Sequence, residues 1–335
     1  MELRQKKRNL KTAAACLFLC GCTGVQKPQE ERIRIGVSVY DSYDTFIGEL
    51  MSDFNAALAG NANITLEINN AAKSQQTQNK QAEAMIEEGC DVMCINLVDR
   101  TSPRRIIDLA RKNNVPVIFF NRELVEEDLM QWEELYYVGA DAEQSGIMQG
   151  EIAVEAIEKL DGDRNGDGII QYVILEGEVG HQDAIVRTEK SVDTLIEKGW
   201  QVDKIASQTA NWSRSQAQSR MSVLIESSGD EIELVLGNND DMALGAIDAY
   251  KAAGIAQEKW PVIVGIDGTA AGLQAVADGE MYGTVYNDQE GQANAMAKLA
   301  MELANQKTPS EANGEKYFRL PYEKVTLENI SSYLD

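Results

Sequence analysis

Residues 32–58 read RIRIGVSVYDSYDTFIGELMSDFNAAL. Ile33, Ile35, Val37 and Val39 alternate with their neighbours, the two-residue period of a strand. The run ends at a polar turn around Tyr40 to Asp44, and a helix is predicted from there over 45–58. The same unit recurs along the chain. Strands are predicted at 64–68, 91–97 and 115–120, with helices at 75–88 and 103–113 between them. After a break near 138–141 a second series begins with a helix at 142–160. Strands at 170–175, 234–237, 262–266 and 283–286 follow, with helices at 183–198, 240–253, 270–278 and 289–303. Strand alternating with helix implies parallel sheets covered on both faces by right-handed crossovers. The expected class is α/β, with two Rossmann-like lobes. In such sheets ligands bind beyond the carboxyl ends of the strands.

The residues following those ends are polar or aromatic. Tyr40, Asp44 and Phe46 follow the first strand, and Asn121 and Arg122 follow Phe120. His181, Asp183 and Arg187 follow the strand ending at Leu175, and Trp212 stands in a polar loop. Asn238, Asn239 and Asp240 follow Leu236; Asp267 follows Ile266; Asn287 and Asp288 follow Tyr286. A sugar is a ring of hydroxyls, each donor and acceptor, with apolar C–H faces. Buried hydroxyls require partners. Asp, Asn, Arg and His supply them, and flat aromatic rings cover the C–H faces. Each residue alone has a plainer role: Phe46 and Trp212 in packing, His181 as a structural histidine, Asp240 and Asp288 as helix caps. The agreement of many strand ends points to a hexose.

Composition narrows the function. Hydrophobic content of 44% and charged content of 25% fit a folded globular chain and argue against disorder. The net charge is −23. Without residues 1–21, which carry five basic groups and one acidic group, the balance is 26 basic to 53 acidic. So acidic a chain does not seek nucleic acid.

Residues 1–21 have a basic start (Arg4, Lys6, Lys7, Arg8, Lys11) and a short apolar run, the pattern of an export signal. It ends in Leu19-Cys20-Gly21-Cys22, which resembles the lipobox of bacterial lipoproteins. Cys22 is therefore expected to carry a lipid that anchors the protein outside the cell membrane, with residues 22–31 as a tether. Of the other cysteines, Cys90 and Cys94 are four residues apart. An extended strand separates them by roughly 13 Å, beyond disulfide reach, so buried thiols are expected.

Asp163-Arg164-Asn165-Gly166-Asp167-Gly168-Ile169-Ile170-Gln171 has the spacing of an EF-hand-type calcium loop. Oxygens fall at positions 1, 3, 5 and 9, glycine at 6, and position 7, Ile169, offers its carbonyl. The usual closing glutamate is Ile174 here, so an acid must arrive from elsewhere. Such a calcium would be structural.

Nine ordered segments carry a resemblance: IGVSVYDSYDTF from Ile35, INLVD from Ile95, VPVIFFNRE from Val115, YYVGADAEQSGIMQG from Tyr136, DRNGDGIIQ from Asp163, GEVGHQDAIVRT from Gly177, NNDDMALGA from Asn238, GIDG from Gly265 and GTVYND from Gly283. Over residues 32–321 the chain resembles the bacterial glucose/galactose-binding proteins that feed ABC sugar transporters. The resemblance implies a type I periplasmic binding protein fold, with two lobes joined by a three-segment hinge. The lobes would comprise residues 32–140 with 287–319, and 141–286 with 320–335. It implies that Asp44, Asn121, His181, Asp183, Arg187, Asn239, Asp267 and Asn287 hydrogen-bond the sugar, while Phe46 and Trp212 sandwich its ring. The calcium ligands would be Asp163, Asn165, Asp167, Ile169 and Gln171, with Glu233 as the distant closing acid. The implied ligand is D-glucose or D-galactose, the implied partner an ABC permease, and the implied state a monomer.

A sugar-responsive regulator would need a helix-turn-helix in place of the export signal. A glycosidase could use paired acids such as Asp44 and Asp267, yet no nucleophile elbow, phosphate loop or catalytic metal motif is present. A chemosensor, or a binder of another monosaccharide such as ribose or xylose, would use the same site.

Overall fold

The computed structural model describes residues 32–310 and 315–334. Cys22, the export signal and the tether lie outside the described residues.

β1 (Ile33–Val39) shows how the first lobe is built. Its apolar residues alternate, yet Ile35 to Val39 are buried without interruption, Ser38 included. The strand lies inside a sheet between β2 (Ile64–Asn70) and β3 (Val92–Ile95). Ser38 is accommodated because its hydroxyl donates to Gln81 Oε1 at 2.7 Å. The full order is β11 (Tyr317–Leu320), β5 (Leu135–Ala140), β4 (Val117–Phe120), β3, β1, β2, all parallel. Helices α1 (Thr45–Leu58), α2 (Gln75–Glu87), α3 (Arg104–Asn113) and the short α4 (Glu126–Leu129) belong to this lobe.

The second sheet runs β12 (Tyr322–Thr326), β10 (Gly283–Asn287), β9 (Val262–Val264), β8 (Leu234–Gly237), β6 (Ile169–Glu176), β7 (Gln201–Thr209). It is flanked by α5 (Ala142–Leu160), α6 (Gln182–Glu197), α7 (Arg214–Ser228), α8 (Asp240–Ala252) and α9 (Ala270–Ala277). β12 departs from the expected parallel order and runs antiparallel to β10. Only Pro321 separates it from β11, the edge strand of the other sheet. α10 (Gln289–Ala304) returns to the first lobe, where Met296 and Leu299 share a core with Phe54 of α1. The chain thus passes between the sheets after β5, after β10 and after β11.

Six elements differ from the sequence reading. β5 occupies the stretch read as a break and is buried almost throughout; the passage between lobes follows it. β7 is an edge strand of mixed exposure, with no apolar run. α7 buries only Ala217 and Met221, so it carries no strong apolar stripe. α4 is a single turn. β11 and β12 are short terminal strands, and neither had a predicted range. Cys90 and Cys94 are buried free thiols.

Asp240 corrects one expectation. The cap of α8 is Asn239, which accepts from Met242 N at 3.0 Å. Asp240 is wholly buried and accepts from Thr284 Oγ1 (2.6 Å), Thr269 N (2.8 Å) and Thr269 Oγ1 (3.2 Å). Burial pushes its carboxyl up to about 7 while those donors hold it down. It thereby fastens the turn after β9 to the start of α8. Asp288 does cap its helix, accepting from Gly291 N at 2.8 Å.

Candidate ligand site

Parallel strands end together, so residues following them converge on one edge of each sheet. The two edges face each other across a cleft. A small cavity, partly open to solvent, lies between them. It is lined by Asp44, Phe46, Asn121, His181, Asp183, Arg187, Trp212, Asn239 and Asp267, together with Tyr40 and Arg122. Asn287 is not among the lining residues. Its side chain is buried one strand away and accepts from Gln292 Nε2 at 2.6 Å, while its N–H donates to Asp267 O.

Local structure fixes these groups. Asp44, His181 and Asn239 are the N-caps of α1, α6 and α8. Asp44 Oδ1 accepts from Ile47 N at 3.0 Å, and its Oδ2 accepts from Tyr40 Oη at 2.5 Å. Asn121, Trp212 and Asp267 have φ values of 58°, 64° and 117°, in the left-handed region that non-glycine residues avoid. Such strain persists only where surrounding structure enforces it, and it gathers at functional sites. Trp212 lies so close to Gly177 that a Cβ there would stand 2.1 Å from its ring. Its indole meets the His181 ring edge-on, with centroids 5.1 Å apart.

The charges are interlocked. Arg187 is almost fully buried. It donates to Asn238 O (2.8 Å) and Tyr322 Oη (3.1 Å), and lies 3.5 Å from Asp267 and 3.6 Å from Asp183. Burial opposes its charge, but Tyr322, Asp267 and Asp183 outweigh this and raise its pKa. Burial drives Asp267 well above the usual carboxylate range, with Arg187 opposing and Asp240, Asp44 and Asp241 adding to the rise. The two shifts pull in opposite senses across one pair. A guanidinium does not give up its proton, so Arg187 is the fixed charge.

Burial pushes His181 down to about 4, so it is neutral at neutral pH. Its Nδ1 accepts from Asp183 N at 3.1 Å, which leaves the hydrogen on Nε2 as a donor. The 3.9 Å approach of His181 to the Asp183 carboxylate is therefore not an ion pair. Together the lining offers donors and acceptors on both lobes and the flat rings of Phe46 and Trp212.

The lobes also touch at the rims. Thr45 Oγ1 donates to Asp241 Oδ2 at 2.7 Å, and Ala270 N donates to Glu49 Oε1 at 3.2 Å. On the other rim Lys73 and Arg122 meet Glu178 at 3.0 and 2.8 Å.

Away from the cleft, the loop over 163–171 is folded on its own oxygens. Asp163 accepts from the N–H groups of Gly166, Asp167 and Gly168, and Asn165 Oδ1 accepts from Asp167 N. Glu233, just before β8, is 3% exposed and accepts from the N–H groups of Arg164, Asn165 and Gln171. Among the described residues no basic side chain pairs with it. These bonds bring the distant acid against the loop, the place a closing calcium ligand would occupy. No cluster of three or more His, Cys, Asp or Glu side chains is grouped as a metal site among the described residues. A calcium here would therefore also need the oxygens of Asn165, Gln171 and Ile169.

Comparison with known proteins places this geometry. A periplasmic binding protein domain matches residues 35–308. The D-galactose/methyl-galactoside binding periplasmic protein of Haemophilus influenzae is 34% identical over 307 residues, covering 90% of this chain and 92% of that one. A putative rhizopine-binding protein of Rhizobium meliloti is 32% identical over the same shares. Among solved structures, an ABC transporter solute binding protein from Bacillus halodurans with bound myo-inositol superposes with a TM-score of 0.76 at 30% identity, covering 92% of this chain and 99% of that one. The chain belongs to the periplasmic binding protein family: it has the two-lobed type I fold and is an extracytoplasmic solute-binding protein, not an enzyme.

Proposed function

We propose that this protein binds one neutral hexopyranose, D-glucose or D-galactose, in the cleft and delivers it to the permease of an ABC importer. One observation carries the reading: hydrogen-bonding groups of both lobes, with Phe46 and Trp212, line one cavity. The carboxylates Asp44, Asp183 and Asp267 would accept from hydroxyls, and Asn121, Asn239, Arg187 and His181 Nε2 would donate. Asn287 would act from behind Asp267 rather than touch the sugar. The relative from Haemophilus influenzae is a galactose-binding protein by name, which supports the choice of hexose. The Bacillus halodurans structure, with its bound myo-inositol, supports a second reading: a cyclic polyol presents the same ring of hydroxyls.

Titration calorimetry of the chain from residue 26, as a monomer in solution, against D-glucose, D-galactose, D-ribose, D-xylose and myo-inositol decides between them. One-to-one binding of glucose or galactose supports the hexose; binding of inositol alone would replace it.

We further propose that a lipid on Cys22 holds the protein at the outer face of the membrane, and that the 163–171 loop with Glu233 takes a structural calcium. Saturating calcium should raise the thermal midpoint by about 5 °C, and a chelator should reverse this. Glu233→Gln should lose most of that gain while sugar affinity changes little. A midpoint indifferent to calcium would reject the metal.

A further inference from the structure

One contact joins the lobes through the wall of the cavity itself. Glu178 stands on the turn after β6, in the second lobe. Two cations of the first lobe meet it, Arg122 at 2.8 Å and Lys73 at 3.0 Å. The Arg122 side chain is only 5% exposed and Glu178 24%. Burial alone would raise the Glu178 pKa, but Arg122 and Lys73 outweigh it and hold the carboxyl below its usual value. The opposite rim closes on a hydroxyl and a backbone N–H.

Arg122 is doubly held. Its Nη1 donates to Val98 O at 2.9 Å, and its guanidinium carbon lies 3.5 Å from the centre of the Tyr40 ring. Tyr40 in turn donates to Asp44 Oδ2 at 2.5 Å. Glu178, Arg122, Tyr40 and Asp44 thus form a continuous series from one lobe, across the cleft, to a group that faces the ligand.

We propose that Glu178 is the closure latch of this site, and that Arg122 and Tyr40 are positioning residues that make the aim of Asp44 depend on the latch. The proposal rests on the reading of the cleft as a sugar site. Its physical basis is differential contact. Opening the lobes takes Glu178 away from both cations and leaves Arg122 with a carbonyl and a ring. A charge-assisted bond made only in the closed form shifts the population toward that form. It therefore acts on ligand release more than on capture. Arg122 stacked on Tyr40 restricts the phenol, and the phenol fixes which lone pairs of Asp44 remain for a hydroxyl.

Stopped-flow kinetics with D-galactose test this. Glu178→Gln should speed dissociation about tenfold and leave association nearly unchanged. Tyr40→Phe should also weaken binding. The double variant should lose less than the product of the two single losses, by about threefold or more. Arg122→Lys keeps the charge without the stacked plane, and should retain slow release while losing the coupling to Tyr40. Unchanged dissociation in Glu178→Gln, or losses that simply multiply, would overturn the proposal. If the parent binds neither galactose nor glucose, the cleft reading fails and the latch is read without sugar. Pulsed spin-label distances between α2 and α6 should then lengthen in Glu178→Gln, and an identical distribution would overturn the latch as well.

Discussion

Arg187→Met should destabilise the protein by about 3–5 kcal/mol, because it leaves buried carboxylates without their counter-charge. The guanidinium holds together four parts of the second lobe: the Asn238 carbonyl after β8, Asp267 after β9, Tyr322 of β12 and Asp183 of its own helix. Methionine fills a similar volume, so the loss is electrostatic rather than a cavity. Urea unfolding of the parent and the variant reads this directly. Sugar binding should fail in the same variant even where it is folded, because Asp183 and Asp267 would then repel each other across the site. Arg187→Lys should fall between: it keeps the charge but loses the planar fork. A fully stable Arg187→Met variant would show that the carboxylates ride protonated and that the pair is not the keystone of the lobe.

Trp212→Ala should weaken sugar binding about 100-fold or more, through the loss of an aromatic face on the C–H surface of the ring. The indole is half-buried and rests on the edge of the second-lobe core rather than inside it. Its removal should therefore lower the thermal midpoint by only a few degrees. The structure has made room for this ring: Gly177 leaves the space that a Cβ would take, and the backbone of Trp212 itself adopts φ 64°. Calorimetry with glucose and galactose, alongside a melting curve, separates the two effects. Parent-like affinity in this variant would remove Trp212 from the site.

How far the sequence was legible follows from which signals are local. The alternation of β1, α1 and their successors could be read because interior parallel strands and their covering helices are apolar in short, regular runs. β7 could not, because an edge strand half in solvent has no such run. β5 reads as a break in sequence although it is buried: Leu135 to Ala140 contains two tyrosines and a glycine, and its strand character comes from lying between β4 and β11. The cavity-lining residues were legible by position, since the end of a parallel strand is a fixed place in the fold. Tyr40 and Arg122 stood at such positions too. Their function was not visible, because it arises from Glu178, 56 residues beyond Arg122 and on the other lobe. The Asp240 role depends on Thr269 and Thr284 in the same way. Backbone strain at Asn121, Trp212 and Asp267 leaves no mark in composition at all.

Asp44, His181 and Asn239 each close the first turn of a helix while facing the cavity. This places two demands on one side chain, and only residues able to accept a backbone N–H meet the first of them. The chemical alphabet open to mutation at these three positions is accordingly small. A lineage drifting toward a new ligand would find Asn, Asp, Ser and Thr cheap there and apolar residues expensive, so specificity should change first at Asn121 and Trp212, which stand outside the helices.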